Sequence, residues 1–295
     1  MAQNINGYLL NAPNIFIEKR MLPICDVLPF VRGCQPTDDG NLILSKEERE
    51  EILANEPQAE PFIRPFMMGK DFIERKPRYC LWLKDANPNL LRQCHQVMAR
   101  VQKVREFRLK STKASTRQKA ETPTLFDEIK DPKTDYIAVP VVSSENRRYI
   151  PIEYLPVSII PGNKLFCMQG ATMYHFGILT SNVHMSWMRA VCGRLKSDYS
   201  YSNTIVYNNF PWPNPTEEQK TKIEKTAQAI LDARALYPDS SLADLYDELT
   251  MPVELRKAHQ DNDRAVMQAY GFDVKTMTES QCVAELFKLY QELTR

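Results

Sequence analysis

The sequence predicts an α+β chain: a mixed-sheet region carrying a long basic helix, followed by an all-helical C-terminal region. Three observations carry that expectation. Short apolar runs such as Arg78–Lys84 and Tyr136–Val142 stand between prolines and polar turns, as strands do. Leu90, Cys94, Val97, Val101 and Val104 recur at alternating four- and three-residue spacing, which draws one apolar stripe along a helix starting at Pro88. After Phe210-Pro-Trp-Pro-Asn-Pro215 the strand signals stop and helical patterns alone continue.

Prolines at 13, 23, 29, 36, 57, 61 and 65 leave the first 75 residues largely irregular, with a turn at Asp38-Asp39-Gly40-Asn41. Ser45 and Glu48 form a capping box that opens a helix through about Asn55. The basic helix from Pro88 empties into Lys110–Lys119, a polar segment that reads as a loop. Strands are expected at Tyr136–Val142, Tyr149–Tyr154 and Lys164–Met168, with Pro140 and Pro151 marking edges or bulges. A helix over Asn182–Cys192 and a strand over Thr204–Asn208 follow. The proline-rich corner ending at Pro215 divides the chain into domains 1–215 and 216–295. In the second, Thr216 with Gln219 and Thr278 with Gln281 are capping boxes, Pro252 opens a further helix and Gly271 closes it.

Composition narrows the chemistry. The 295 residues are 43% hydrophobic and 25% charged, with a net charge of +1. Glycine is scarce: 9 residues, or about 3%, against an average near 7%. No two glycines form a GxG, so the Gly-rich turns of Rossmann, P-loop and methyltransferase sites are missing. Asn209-Phe-Pro-Trp212 resembles the Asn-Pro-Pro-Tyr loop of amino-methyltransferases only superficially, because it lacks the Pro-Pro pair, and it reads as a packing corner. Glu128-Ile-Lys130 is half of a nuclease signature. The four histidines (95, 175, 184, 259) accompany no nucleophile motif. No catalytic residue is therefore expected, and the chain does not read as a self-contained enzyme. Seven cysteines without a CxxC pair, and no HExxH, point to reduced thiols in a cytoplasmic protein without a metal site. Met1–Gly7 lacks the features of a secretory leader, and no run of 18 apolar residues suggests a membrane span.

The neutral total hides an asymmetry. Residues 217–295 hold 15 acids and 10 bases, whereas residues 1–216 hold 22 acids and 28 bases. Within 92–119, nine bases face the single acid Glu106. Such a stripe is either a solvated helix face or the electrostatic footprint of a polyanion. Lys103, Arg108, Lys110, Ser115, Thr116, Arg117 and Lys119 supply cations and hydroxyls that suit phosphate oxygens. Phe107 is the single aromatic residue among them, which favours a duplex over a single strand. A second cluster, Ser143-Ser-Glu-Asn-Arg-Arg148, lies between two strands. Arg reads guanine, Glu accepts from cytosine and Asn pairs with adenine, so Glu145, Asn146, Arg147 and Arg148 form either a base-reading loop or an exposed hairpin tip. A third, Arg189 with Arg194 and Lys196, follows a helix C-terminus and suits phosphates or the helix dipole.

Several ordered strings then become recognisable together. They include Ile5–Pro13, Gly40–Ser45, Phe62–Phe66, Pro77–Leu83, the Ser143–Ile152 segment, Leu179–Tyr199, Ile205–Pro213 and Met251–His259. Over essentially its whole length the chain resembles the C-terminal half of MmeI-type restriction–modification enzymes and related adenine-specific DNA methyltransferases. The resemblance implies a target recognition domain and a helical C-terminal region. It places S-adenosylmethionine and methyl transfer, with nuclease activity in some members, in domains outside these residues. It implies base reading by Glu145 and Arg147, with a contribution from Lys113. The expected partners are double-stranded DNA and a methyltransferase domain, with no cofactor held by this chain. The acidic helical region leaves a protein-assembly role open as the alternative.

Overall fold

In the computed structural model, which describes Gly7, Tyr8 and residues 15–295, helix α1 (Lys46–Asn55) begins where Ser45 predicts it. The Ser45 hydroxyl accepts from the Glu48 N–H at 3.2 Å, and the Glu48 carboxylate accepts from the Ser45 N–H at 2.8 Å. The string Ile5–Pro13 lies outside the described residues except at Gly7 and Tyr8. The chain folds as two units, one of Arg32–Thr134 with Leu155–Cys167. The other comprises the described residues before Arg32, Asp135–Tyr154 and Met168–Arg295.

In the first unit the prolines do not leave residues 57–74 irregular. Pro57–Phe62 is a 3-10 turn, Ile63–Met67 a strand and Gly69–Glu74 helix α2. Pro57 starts its turn, where a missing N–H costs nothing. Strands Ile43–Leu44, Arg78–Leu81, Ile63–Met67 and Ile160–Pro161 form a sheet in that order, with two antiparallel pairings and a final parallel one.

The single long helix expected from Pro88 is in fact two, α3 (Pro88–Arg92) and α4 (His95–Leu109). The backbone leaves helical geometry at Cys94, with φ −97° and ψ 84°. The Gln96 N–H at the new helix start donates to the buried Glu56 carboxylate at 2.8 Å. That charge also complements the positive end of the α4 dipole. The apolar stripe survives the break. Cys94, Val97, Val101 and Val104 are buried in one cluster with Leu44, Phe62, Phe66 and Leu81.

The segment Lys110–Lys119 is not a loop, because it contains helix α5 (Ala114–Gln118). Arg117 donates to the Ser111 and Thr112 carbonyls at 2.9 Å each. It thereby ties the connection between α4 and α5 back onto α5.

In the second unit, Tyr136–Pro140 is a fully buried strand. Strands Gly193–Leu195, Asp198–Ser200 and Val142–Ser143 form an antiparallel sheet in that order, with Tyr199 opposite Ser143. The strand expected at Tyr149 begins only at Glu153. Side chains replace the ladder there: Tyr149 donates to Asp263, and the Ile152 carbonyl accepts from Arg234 at 2.6 Å. Helices α6 (Met173–Thr180) and α7 (Asn182–Val191) follow, separated by the N-cap Ser181. The expected strand Thr204–Asn208 is instead a turn of π-helix over Asn203–Tyr207. Its carbonyls are taken by side chains: Asn209 donates to Thr204 and Ile205, and the Trp187 indole to Val206. Phe210 and Trp212 are buried in an aromatic corner, with ring centroids 5.9 Å apart.

The C-terminal region is helical, as α8 (Glu217–Ala235), α9 (Leu242–Leu245), α10 (Val253–Ala269) and α11 (Glu279–Thr294). The capping boxes at Thr216 and Thr278 are both formed. Helix α8 packs against α6 across Gly177, where a Cβ would stand 2.6 Å from Ile223 and 3.1 Å from Ala227. Glycine is needed there for the close approach of the two helices.

Candidate nucleic-acid interface

The loop that follows strand Val142–Ser143 is a tight turn. Ser144 accepts from the Arg147 N–H through its carbonyl at 3.2 Å and from the Asn146 N–H through its hydroxyl at 3.3 Å. The turn lifts Glu145, Asn146 and Arg148 into solvent and leaves Arg147 half-buried. Together with Asn182, Arg189, Tyr199, Glu248 and Glu279 these four side chains line a recess of 460 Å³. Three arginines and three glutamates therefore share one pocket. Burial lowers the Arg147 pKa, while Asp198 and Asp247 oppose the shift; the group stays cationic, since Arg titrates far above neutral pH.

The neighbouring hairpin supplies Arg194 and Lys196. Arg194 lies 4.2 Å from the Tyr199 ring centroid, donates to the Ser197 carbonyl at 2.9 Å and stands 3.7 Å from the Glu145 carboxylate. Lys196 is exposed at the hairpin tip and holds a left-handed backbone with φ 56°. Arg189 is less available, with its side chain 18% exposed. It donates to Glu279 at 2.6 Å, to the Arg148 carbonyl at 3.1 Å and to Asn182 at 2.9 Å.

A buried polar spine stands behind the loop. Tyr149 donates to Asp263 at 2.7 Å and stacks on His259, with centroids 4.2 Å apart. Asp263 also accepts from the Asn182 N–H at 2.6 Å. His259 meets the Tyr246 hydroxyl at 2.8 Å, and Tyr246 in turn meets Arg234. Burial raises the Asp263 carboxyl to about 6 against the pull of these hydrogen bonds, and holds His259 well below its usual range. None of this spine was singled out as functional from sequence. Its only sequence signal was the pattern that places Asn262 and Val266 on the inner face of α10.

The other unit holds the second basic cluster. Lys103, Lys110, Lys113, Ser115, Arg117 and Lys119 are exposed, and Thr116 is half-buried. Arg117 is turned back on Ser111 and Thr112, and Lys119 stands 3.9 Å from Asp127. Arg108 does not belong to this surface. It is fully buried and donates to the carbonyls of Pro36, Thr37, Lys119, Thr122 and Leu125 at 2.8–3.0 Å. No N–H remains for a phosphate. The apolar spacing foretells this position, since 97, 101, 104 and 108 continue a single stripe.

Among the described residues no group of three or more His, Cys, Asp or Glu is placed to hold a metal, and no helix is long and apolar enough to cross a membrane. All seven cysteines are unpaired.

An α+β unit that gathers donors and acceptors at a braced surface loop, and continues into a helical bundle, has the form of a recognition module. Residues 11–214 match the family model of the MmeI target recognition domain, and residues 215–295 that of the MmeI C-terminal domain, so the chain belongs to the MmeI target recognition and C-terminal domain family. It is 36% identical over 294 residues to DNA methyltransferase A of Bacillus subtilis (strain 168), covering 100% of this chain and 33% of that protein. The solved structure of the Type IIL restriction-modification enzyme MmeI in complex with DNA is 46% identical. It superposes with a TM-score of 0.96 over 99% of this chain and 39% of that one. The chain thus spans between a third and two fifths of the length of these relatives.

Proposed function

We propose that this chain reads the sequence of double-stranded DNA for a restriction–modification methyltransferase, presenting the site to a catalytic domain that these residues do not include. The observation that carries the reading is the mixed pocket at the 144–148 turn. A phosphate offers acceptors alone and calls for cations and other donors, whereas a base edge offers both donors and acceptors and needs both in return. Glu145, Asn146, Arg147 and Arg148 supply that mixture on one rigid turn.

Other cations and hydroxyls of the chain fit the complementary task. Lys103, Lys110, Ser115, Thr116, Arg117, Lys119, Arg194 and Lys196 contact the phosphodiester backbone in this reading, and Lys113 adds a base contact. The methyl acceptor is adenine and the methyl donor S-adenosylmethionine, held by the methyltransferase domain; we assign no residue of this chain to the donor. The membership in the MmeI family and the likeness to a methyltransferase and to a DNA-bound enzyme support this reading.

Two measurements test it. Affinity for random duplexes should fall steeply with salt, because neutralised phosphates release counterions; a flat salt dependence overturns duplex binding. Glu145→Lys combined with Arg147→Asp should change the sequence preferred by the enzyme that carries this chain. An unchanged site would remove these residues as readers.

A second reading, assembly with another protein domain, is favoured by one observation. Phe16, Met21 and Leu22, close together in sequence, are 81%, 77% and 78% exposed, and large apolar side chains exposed together mark protein contacts. Changing all three to serine should then abolish association with a methyltransferase domain supplied in trans and leave duplex binding intact.

A further inference from the structure

Two ties grip the chain immediately after the proposed reading turn, and both reach into the C-terminal helices. At Arg148 the carbonyl accepts from Arg189, whose guanidinium is in turn held by Glu279 in the first turn of α11. At the next residue, the Tyr149 hydroxyl donates to Asp263 of α10. The ties converge on Asn182: its side-chain oxygen accepts from Arg189, and its backbone N–H donates to the other oxygen of Asp263. Each nitrogen of Arg189 is engaged, and neither Glu279 nor Asp263 lies in the region that carries the reading turn.

We propose that Arg189, Glu279 and Asp263 are positioning residues for base recognition, so that the C-terminal helical region sets the selectivity of the site and does not merely cap the fold. The proposal rests on the base-reading function given above. Selectivity needs a reading side chain held to within a fraction of an ångström, which is the work of its supporting hydrogen bonds. The planar fork of Arg189 meets a carboxylate, a carbonyl and an amide oxygen at once, which a lysine ammonium on a flexible stem cannot reproduce. Tyr149, pinned at its ring by His259 and at its hydroxyl by Asp263, fixes the exit of the turn from the other side.

The test uses the full chain and a library of duplexes with a randomised centre. Wild type, Arg189→Lys, Arg189→Met and Tyr149→Phe are taken through selection. Each is then titrated against the wild-type preferred duplex and its single-base variants across a range of salt. Arg189→Lys and Tyr149→Phe should each narrow the ratio of affinities between the preferred and altered duplexes about tenfold. The slope of log affinity against log salt should stay unchanged in Arg189→Met, because the three nitrogens of Arg189 are engaged by protein acceptors.

An equal loss on every duplex, with the ratio intact, overturns the proposal, since a merely structural tie weakens all binding alike. A slope shallower by about one in Arg189→Met overturns it too, by making Arg189 a phosphate ligand. Tyr149→Phe keeps the ring stack on His259 and carries the test should the Arg189 variants fail to fold. A wild type that selects no sequence at all refutes the base-reading function itself, a result distinct from selective binding that the ties do not affect.

Discussion

The α4–α5 segment and the 144–148 turn are both rich in arginine and lysine, yet they use charge in opposite ways. Along α4 and into α5 lysines 103, 110 and 113 are exposed, while the opposite stripe of α4 is buried. At the turn, every arginine has a glutamate in the same pocket, and the walls come from α7, a hairpin strand, the turn at Glu248 and helix α11. Unmatched charge on an open helix suits a repeating polyanion, whereas matched charge on a rigid turn suits a pattern of donors and acceptors. A count of basic residues cannot separate the two; the partners of each residue do.

The largest expected effect breaks the comparison at its one false member. Arg108→Ala removes the buried donor that five carbonyls share, leaving those of Lys119 and Thr122 with only their backbone donors, and should cost on the order of 3–5 kcal/mol in chemical denaturation. A variant with wild-type stability and a reduced salt slope would return Arg108 to the DNA-facing surface.

Next in size is the pH dependence set by Asp263. Its folded pKa, about 6, lies above its value in an unfolded chain. The folded state therefore holds the proton more tightly. The contribution is fully present below about pH 4 and is lost as pH rises through 6, on the order of 2–3 kcal/mol. Denaturation of wild type and Asp263→Asn side by side from pH 4 to 8 checks this. The stability of the wild type relative to the variant should decline over that range, and a constant difference would refute it.

A smaller effect sharpens the contrast directly. Arg147→Ala should lose about 1–3 kcal/mol of discrimination at one base pair, while Lys103→Ala weakens binding to all duplexes and lowers the salt slope by about one. Lys113→Ala decides to which class that residue belongs, by moving either the preference or the slope. Smallest is Lys196→Gly. Relieving its left-handed backbone should stabilise the hairpin by up to about 1 kcal/mol, while the lost cation weakens duplex binding slightly; melting and titration of the same variant separate the two.

How much of this was legible in the residues depends on the range of the interaction involved. Ser45, Thr216 and Thr278 each announce a helix start because a capping box is closed within four residues. The turn at 144–148 is equally plain, as a polar run between two apolar ones, and the long ordered strings carry the family. The break at Cys94 is not legible, because its cause is Glu56, forty residues away in sequence, reaching the Gln96 N–H. The strand expected at 204–208 fails for a related reason. Trp187 and Asn209 take the carbonyls that a strand partner would have taken.

By itself the sequence determined the α+β class, the helical C-terminal region, the position of the charged turn and the split of charge along the chain. These follow from periodicity, caps and composition, all of which act over a few residues. Only the tertiary structure decided which partners the buried charged groups take. Arg108 gathers acceptors up to 72 residues distant, and Asp263 joins Tyr149 across 114. A buried donor must find acceptors wherever the chain brings them, and that placement is a property of the whole fold.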